Sequence, residues 1–207
     1  MARIGLLGGT FDPVHNGHVA IAQTVKKQLG LNKIIIIPTG DPPHKQEKDV
    51  TDKKHRLAMA EQVFLPLGYY EVSDYEIKKA TPSYSVDMIK HFTALYPYDE
   101  IYFIIGADSF RDIPTWWHYR ELLTLCQIIV VSRPDTKKSE LLSRFAGDEL
   151  PPRAYYIGDV SYDISSTEIR ELVSRGEDIG HLVPQVVHKY IKENKLYSKQ
   201  VKTKETY

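Results

Sequence analysis

Cysteine is almost absent from this chain: there is one, Cys126, in 207 residues. A lone thiol closes no internal disulfide, so the fold must rest on a packed core, and a reducing compartment suits it. Cys126 lies in the apolar run 122–131 and reads as a small buried hydrophobe. Excess charge is absent too, with 27 Lys and Arg against 27 Asp and Glu. Without a global basic field, nucleic acid is not a favoured partner. No apolar run approaches the roughly 18 residues of a membrane span, so no membrane is expected. The chain enters a strand-like run at once, which leaves no room for a signal peptide. There is no internal repeat and no low-complexity linker. The expectation is a soluble cytoplasmic protein, with residues 1–197 as a single domain and 198–207 as a polar, disordered tail.

What is present is an alternation of short apolar runs with helix-like periodic stretches. Strands are expected at 3–8, 33–38, 69–73, 100–105, 127–132 and 154–157. The run Ile34-Ile35-Ile36-Ile37 suits a parallel strand covered on both faces. Helices are expected at 17–29, 52–65, 85–95, 115–125, 137–145, 165–176 and 184–193. Val19, Ala22, Val25 and Leu29 share one face of the first, and Gly30 ends it. Ser83 or Ser85 would cap the third, and Pro184 would open the last. The fold class is therefore α/β: a Rossmann-like, doubly wound, mostly parallel sheet with helices on both faces and a small C-terminal helical part.

The richest stretch is Gly8-Gly9-Thr10-Phe11-Asp12-Pro13-Val14-His15-Asn16-Gly17-His18. It joins the first strand to the first helix. Unpartnered N–H groups and the dipole at a helix start attract anions. His15 and His18, three residues apart, share a face and can donate to one phosphate. Gly8, Gly9 and Thr10 let the backbone come close to it. A second helix start, Ile164-Ser165-Ser166-Thr167-Glu168-Ile169-Arg170, has capping-box spacing, with Ser165 as cap and Glu168 reaching back. Arg170 lies one turn into that helix. In doubly wound sheets ligands bind at the carboxyl ends of strands. Gly8 to Thr10, Thr39-Gly40, Gly106-Ala107-Asp108 and Arg133 each follow an expected strand, so they converge on one edge. Lys45 follows two prolines that stiffen its loop. Five further histidines, His55, His91, His118, His181 and His188, lack metal-ligand spacing, and no protein metal site is expected.

His15-Asn16-Gly17-His18 has the His-x-Gly-His form of the nucleotidylyltransferase superfamily, which this chain resembles. Pro42-Pro43-His44-Lys45, Gly106-Ala107-Asp108, Trp116-Trp117 and the stretch 164–170 narrow the likeness to the bacterial nicotinate-nucleotide adenylyltransferases, over about residues 2–197. One departure is Ser85, where that family often has threonine. The resemblance implies transfer of the adenylyl group of ATP to nicotinate mononucleotide, giving nicotinate adenine dinucleotide and pyrophosphate. It implies His15, His18, Lys45 and Arg170 as the catalytic donors. ATP would be held by Gly8, Gly9, Thr10, Phe11, His15, His18, Gly106, Asp108, Arg133, Ile164, Ser165, Ser166 and Arg170. The mononucleotide would meet Gly9, Thr10, His44, Lys45, Ser83, Ser85, Asp108 and Trp116. Of the two tryptophans the resemblance favours Trp116 for stacking on the pyridine ring, leaving Trp117 as core or interface. Asp108 would accept from a ribose hydroxyl or cap the helix after it. Mg²⁺ would arrive on the ATP phosphates, and the family suggests a homodimer. The rival readings are a different adenylyl- or cytidylyltransferase of the superfamily, a non-catalytic nucleotide sensor, and a fragment of a class I aminoacyl-tRNA synthetase. Neutral charge and the lack of an RNA-binding domain oppose the last.

Overall fold

The computed structural model describes residues 1–40, 50–79, 84–132, 139, 153–158 and 164–198. Six strands form one sheet: β1 (Arg3–Gly9), β2 (Lys33–Pro38), β3 (Tyr70–Val72), β4 (Glu100–Gly106), β5 (Gln127–Val131) and β6 (Ala154–Ile157). Their order is β3-β2-β1-β4-β5-β6, and every neighbouring pair is parallel. Strand order therefore reverses between β1 and β4, which places the ligand crevice at their carboxyl ends.

The central strands are apolar because both faces are covered. Alternate side chains enter two separate cores. Ile34 and Ile36 of β2 join one with Leu7, Ile104 and Ile129, under helices α1 (Asn16–Leu29), α2 (Lys53–Phe64), α7 (Ser166–Ser174) and α8 (Gln185–Glu193). Ile35 and Ile37 join the other with Leu6, Phe103 and Val130. That face carries α4 (Ser85–Leu95), α5 (Ala107–Asp112) and α6 (Tyr119–Leu125). A four-residue helix, α3 (Tyr75–Lys78), completes the set. Gly5 sits where a Cβ would come within 2.8 Å of Leu31 Cδ1 and 2.9 Å of Ile104 Cδ1. It is glycine because side chains of both neighbouring strands, Ile34 and Ile104, and of Leu31 just past the end of α1 crowd β1 at that point.

Several boundaries differ from expectation for local reasons. The helix expected at 115–125 starts only at Tyr119, and the stretch before it, 107–115, carries structure that was not expected. That structure is α5 and a 3₁₀ turn Ile113–Thr115 around Pro114. Pro114 has no N–H to continue a ladder, and Trp116 is extended. Neither Ser83 nor Ser85 caps α4: Ser83 lies outside the described residues, Ser85 is the first helical residue, and Tyr84 occupies the cap. Pro184 is the cap residue of α8 rather than its first helical position. Gly30 does end α1, at φ 59°, with its N–H on the Lys26 carbonyl. Of the expected helix at 137–145 only residue 139 is described, and it is helical; the tail beyond 198 falls outside the described residues. Among the described residues no helix is long and apolar enough to cross a membrane.

Candidate active site

The first helix start is held open by its own histidines. His15 is the extended cap residue of α1, and His18 is its third helical residue. The His15 backbone N–H donates to His18 Nδ1 at 3.2 Å. That bond makes Nδ1 the acceptor, so the proton of a neutral His18 is assigned to Nε2. The two rings stack, with centroids 3.6 Å apart. His15 is buried, and among the described residues its Nδ1 has no partner. Burial lowers the His15 pKa from 6.5 to about 4. Burial, and then the neighbouring His15, push His18 well below its ordinary value. Both imidazoles are therefore neutral near pH 7. A neutral imidazole offers one N–H donor and no positive charge.

Phe11 shapes the same turn. Its φ of 51° is left-handed, and its ring is buried against the edge of His18 at 4.8 Å. A Cβ on Gly9 would lie 3.1 Å from that ring, so Gly9 leaves room for Phe11 as well as for a ligand. Gly8 is less constrained, since a Cβ there would touch Phe103 only at 3.7 Å. Phe11 as a whole is 1% exposed, so its ring belongs to the core rather than to a ligand surface.

The second helix start lies against the first. Ser165 caps α7, its Oγ accepting from the Thr167 N–H at 3.2 Å. Among the described residues the reciprocal bond from Glu168 is not formed, so only half of the expected box exists. Ser166 Oγ donates to the Pro13 carbonyl at 3.1 Å. Arg170 Nη1 donates to the Asp12 carbonyl at 2.7 Å, and Nη2 to Thr167 Oγ1 at 3.3 Å. Two sites that are about 150 residues apart in sequence thus form one rim. Ile164, just before the cap, packs on the first core.

Three residues that the sequence pattern did not single out build the frame of this rim. Arg56 is 1% exposed and donates to the carbonyls of Thr10 (2.8 Å), Gly40 (3.0 Å) and Thr51 (2.9 Å). It bolts together the ends of β1 and β2, and buried Glu76 accepts from the Gly40 N–H. Its spacing with Met59, Ala60 and Val63, an arginine inside an apolar helix stripe, was the available signal. Asp12 is 2% exposed, and Oδ2 accepts from the Thr51 N–H at 3.1 Å. Tyr197 donates to Asp12 Oδ1 at 2.7 Å. That contact crosses 185 residues, and no local pattern announces it.

The remaining candidates divide. Gly106 caps α5 at the crevice edge, and a Cβ there would meet nothing within 4 Å. Asp108 does not end β4. It is the second residue of α5, its carboxylate is exposed, and it pairs with Arg111 at 2.9 Å, so the capping role is not its own. Ser85 opens α4. Trp116 is half-buried on the second core with its ring near Phe103, whereas Trp117 is 63% exposed and tilted on Tyr84. Trp117 is thus no core residue. His44, Lys45, Ser83 and Arg133 lie outside the described residues. His55 hydrogen-bonds Tyr190, His91 stacks on Tyr75, and His188 lies 3.6 Å from Asp178. Cys126 is unpaired, and burial raises its thiol to about 12. Among the described residues no three His, Cys, Asp or Glu side chains converge to hold a metal ion. The donor set is made of neutral imidazoles, hydroxyls, amides and a guanidinium, which suits phosphate oxygens.

Comparison with known proteins agrees with this chemistry. The family described as cytidylyltransferase-like matches residues 6–172. A protein of Desulfitobacterium hafniense (strain DSM 10664 / DCB-2) named "Probable nicotinate-nucleotide adenylyltransferase" is 42% identical over 197 residues, covering 94% of this chain and 95% of its own length. One of the same name from Clostridium tetani is 39% identical, covering 95% of this chain and 100% of its own. Among solved structures, Plasmodium falciparum nicotinic acid mononucleotide adenylyltransferase complexed with NaAD superposes with a TM-score of 0.79 at 22% identity, covering 95% of this chain and 98% of that one. At that identity the superposition speaks for the fold. On sequence, the chain belongs to the cytidylyltransferase-like family and, within it, to the nicotinate-nucleotide adenylyltransferases.

Proposed function

We propose that this protein transfers the adenylyl group of ATP to nicotinate mononucleotide, forming nicotinate adenine dinucleotide and releasing pyrophosphate. The observation that carries the reading is the junction of two helix starts, α1 with its neutral histidine pair and α7 with Ser165, Ser166 and Arg170. They are joined by the Ser166–Pro13 and Arg170–Asp12 hydrogen bonds. The nucleophile is a phosphate oxygen of the mononucleotide, already ionised at neutral pH, so no general base is required. Catalysis then consists of positioning and of donors aimed at developing charge. His18, with its proton on Nε2, serves the α-phosphate. His15 stands beside it, and Arg170 with the α7 N–H groups holds the departing pyrophosphate. Gly8, Gly9, Thr10, Phe11, Gly106, Arg133 and Ile164 complete the ATP site, Phe11 by shaping the turn from within the core. Lys45 and His44 serve phosphate, Asp108 the ribose, and Trp116 with Ser83 and Ser85 the nicotinate. Mg²⁺ belongs to this reading as cargo of the ATP phosphates. A homodimer in the cytoplasm completes it, and light scattering tests the dimer.

The test is pyrophosphate release with ATP and, in turn, nicotinate mononucleotide, nicotinamide mononucleotide and phosphopantetheine, and with CTP in place of ATP. Turnover fastest with ATP and nicotinate mononucleotide is expected. Preference for phosphopantetheine or CTP would overturn the substrate assignment. ATP binding with no turnover on any acceptor would make the protein a sensor.

A further inference from the structure

The loop that carries the two histidines is held by the far end of the chain. After α8, Lys195 and Tyr197 adopt left-handed φ values of 52° and 61°, a conformation most side chains avoid. The chain bends back, and Leu196 and Tyr197 pack on the first core. This brings the Tyr197 hydroxyl to 2.7 Å from Asp12 Oδ1. The Thr51 side chain hydrogen-bonds the same hydroxyl, and the Thr51 N–H takes the other carboxylate oxygen. Burial and the Asp12 charge drive the phenol far above its ordinary pKa, so it stays a donor. A carboxylate as buried as Asp12 needs each of its donors. Its third neighbour is Arg170, whose Nη1 lies 4.0 Å from Oδ2 while bonded to the Asp12 carbonyl.

We infer that Tyr197 is a positioning residue for adenylyl transfer, acting through Asp12 on the histidine loop and on Arg170; this rests on the function proposed above. Its hydroxyl satisfies Oδ1, so Arg170 hydrogen-bonds the backbone carbonyl and faces the carboxylate only at the limit of ion-pair distance, 4.0 Å from Oδ2. Without the hydroxyl, the unsatisfied carboxylate competes for the guanidinium that the triphosphate requires. The loop is also tethered at its far end by the connection between α7 and α8, through the Asn16 N–H on the Leu182 carbonyl and Asn16 Nδ2 on the His181 carbonyl. Tyr197 is the member of this clamp that reaches the carboxylate.

The test is Tyr197→Phe, which removes one oxygen, assayed for pyrophosphate release beside a melting curve. The expected result is folded protein, kcat lower by on the order of tenfold to a hundredfold, a raised KM for ATP and an unchanged KM for the mononucleotide. Asp12→Asn should show the same split, and the double variant should be no worse than Asp12→Asn alone. If Tyr197→Phe does not fold, the split in Asp12→Asn decides. Unchanged kinetics, parallel rises in both KM values, or additive losses in the double variant would overturn the inference. A wild-type protein without turnover would overturn the function instead. The affinities of wild type and Tyr197→Phe for a non-hydrolysable ATP analogue would then decide on Tyr197: weaker binding by the variant supports its role, and equal binding overturns it.

Discussion

Acidification should destabilise this protein through its histidine pair, and His15 gives the magnitude. In the unfolded chain it takes a proton near its ordinary value of 6.5; in the fold it does so only at about 4. Between those values the unfolded state binds one more proton, so stability falls as pH falls. The contribution is fully present above 6.5 and lost on the way down to about 4. The shift spans two and a half units, and at about 1.4 kcal/mol per unit it amounts to about 3 kcal/mol. His15 is 7% exposed, so solvent screening takes little of it away. His18 is displaced in the same direction and adds to the slope. Urea unfolding of wild type and His15→Gln at a series of pH values from about 7.5 to about 4.5 isolates the His15 share. Wild type should lose about 2.5 kcal/mol more than the variant across that window, which stops short of the folded-state value. Parallel stability curves would show that His15 titrates normally, and the neutral-donor account of the site would fail with it.

Three further outcomes are expected. His18→Ala should lower turnover by about 10²–10³-fold with the melting temperature little changed, as for other donors to developing charge; near-wild-type pyrophosphate release would remove His18 from the mechanism. Gly5→Ala should cost about 1–3 kcal/mol in denaturant unfolding, because its methyl group meets Leu31, Ile104 and Ile34 at once. An unchanged midpoint would mean that Leu31, Ile34 and Ile104 yield freely. Trp116→Ala should raise the KM for the mononucleotide and leave that for ATP in place. The reverse pattern, or no change while Trp117→Ala produces it, would transfer the stacking role.

The strands were legible because both sheet faces are covered: a run such as Ile34 to Ile37 has few alternatives. The edge that carries the candidate site was legible because strand, glycine turn and helix start are local, and the parallel sheet brings all such turns to one side. What could not be read depended on distant chain. The structure of Asp12 is decided by Thr51 and Tyr197, and that of Thr10 by Arg56. The cap of α7 was visible as Ser165, but Glu168 does not complete it, and Ser166 instead donates to Pro13 across 153 residues. The helix expected from 115 begins only at Tyr119, because Trp116 is extended and His118 takes a left-handed cap conformation that no local pattern announces.

The central claim is that the starts of α1 and α7 grip one triphosphate between them. The most direct measurement is a crystal structure with a non-hydrolysable ATP analogue and Mg²⁺. The account predicts the α-phosphate at hydrogen-bond distance from His18 Nε2, with the terminal phosphates on the Ser165 and Ser166 region and the Arg170 guanidinium. A triphosphate bound elsewhere, or one touching only one of the two helix starts, would contradict it.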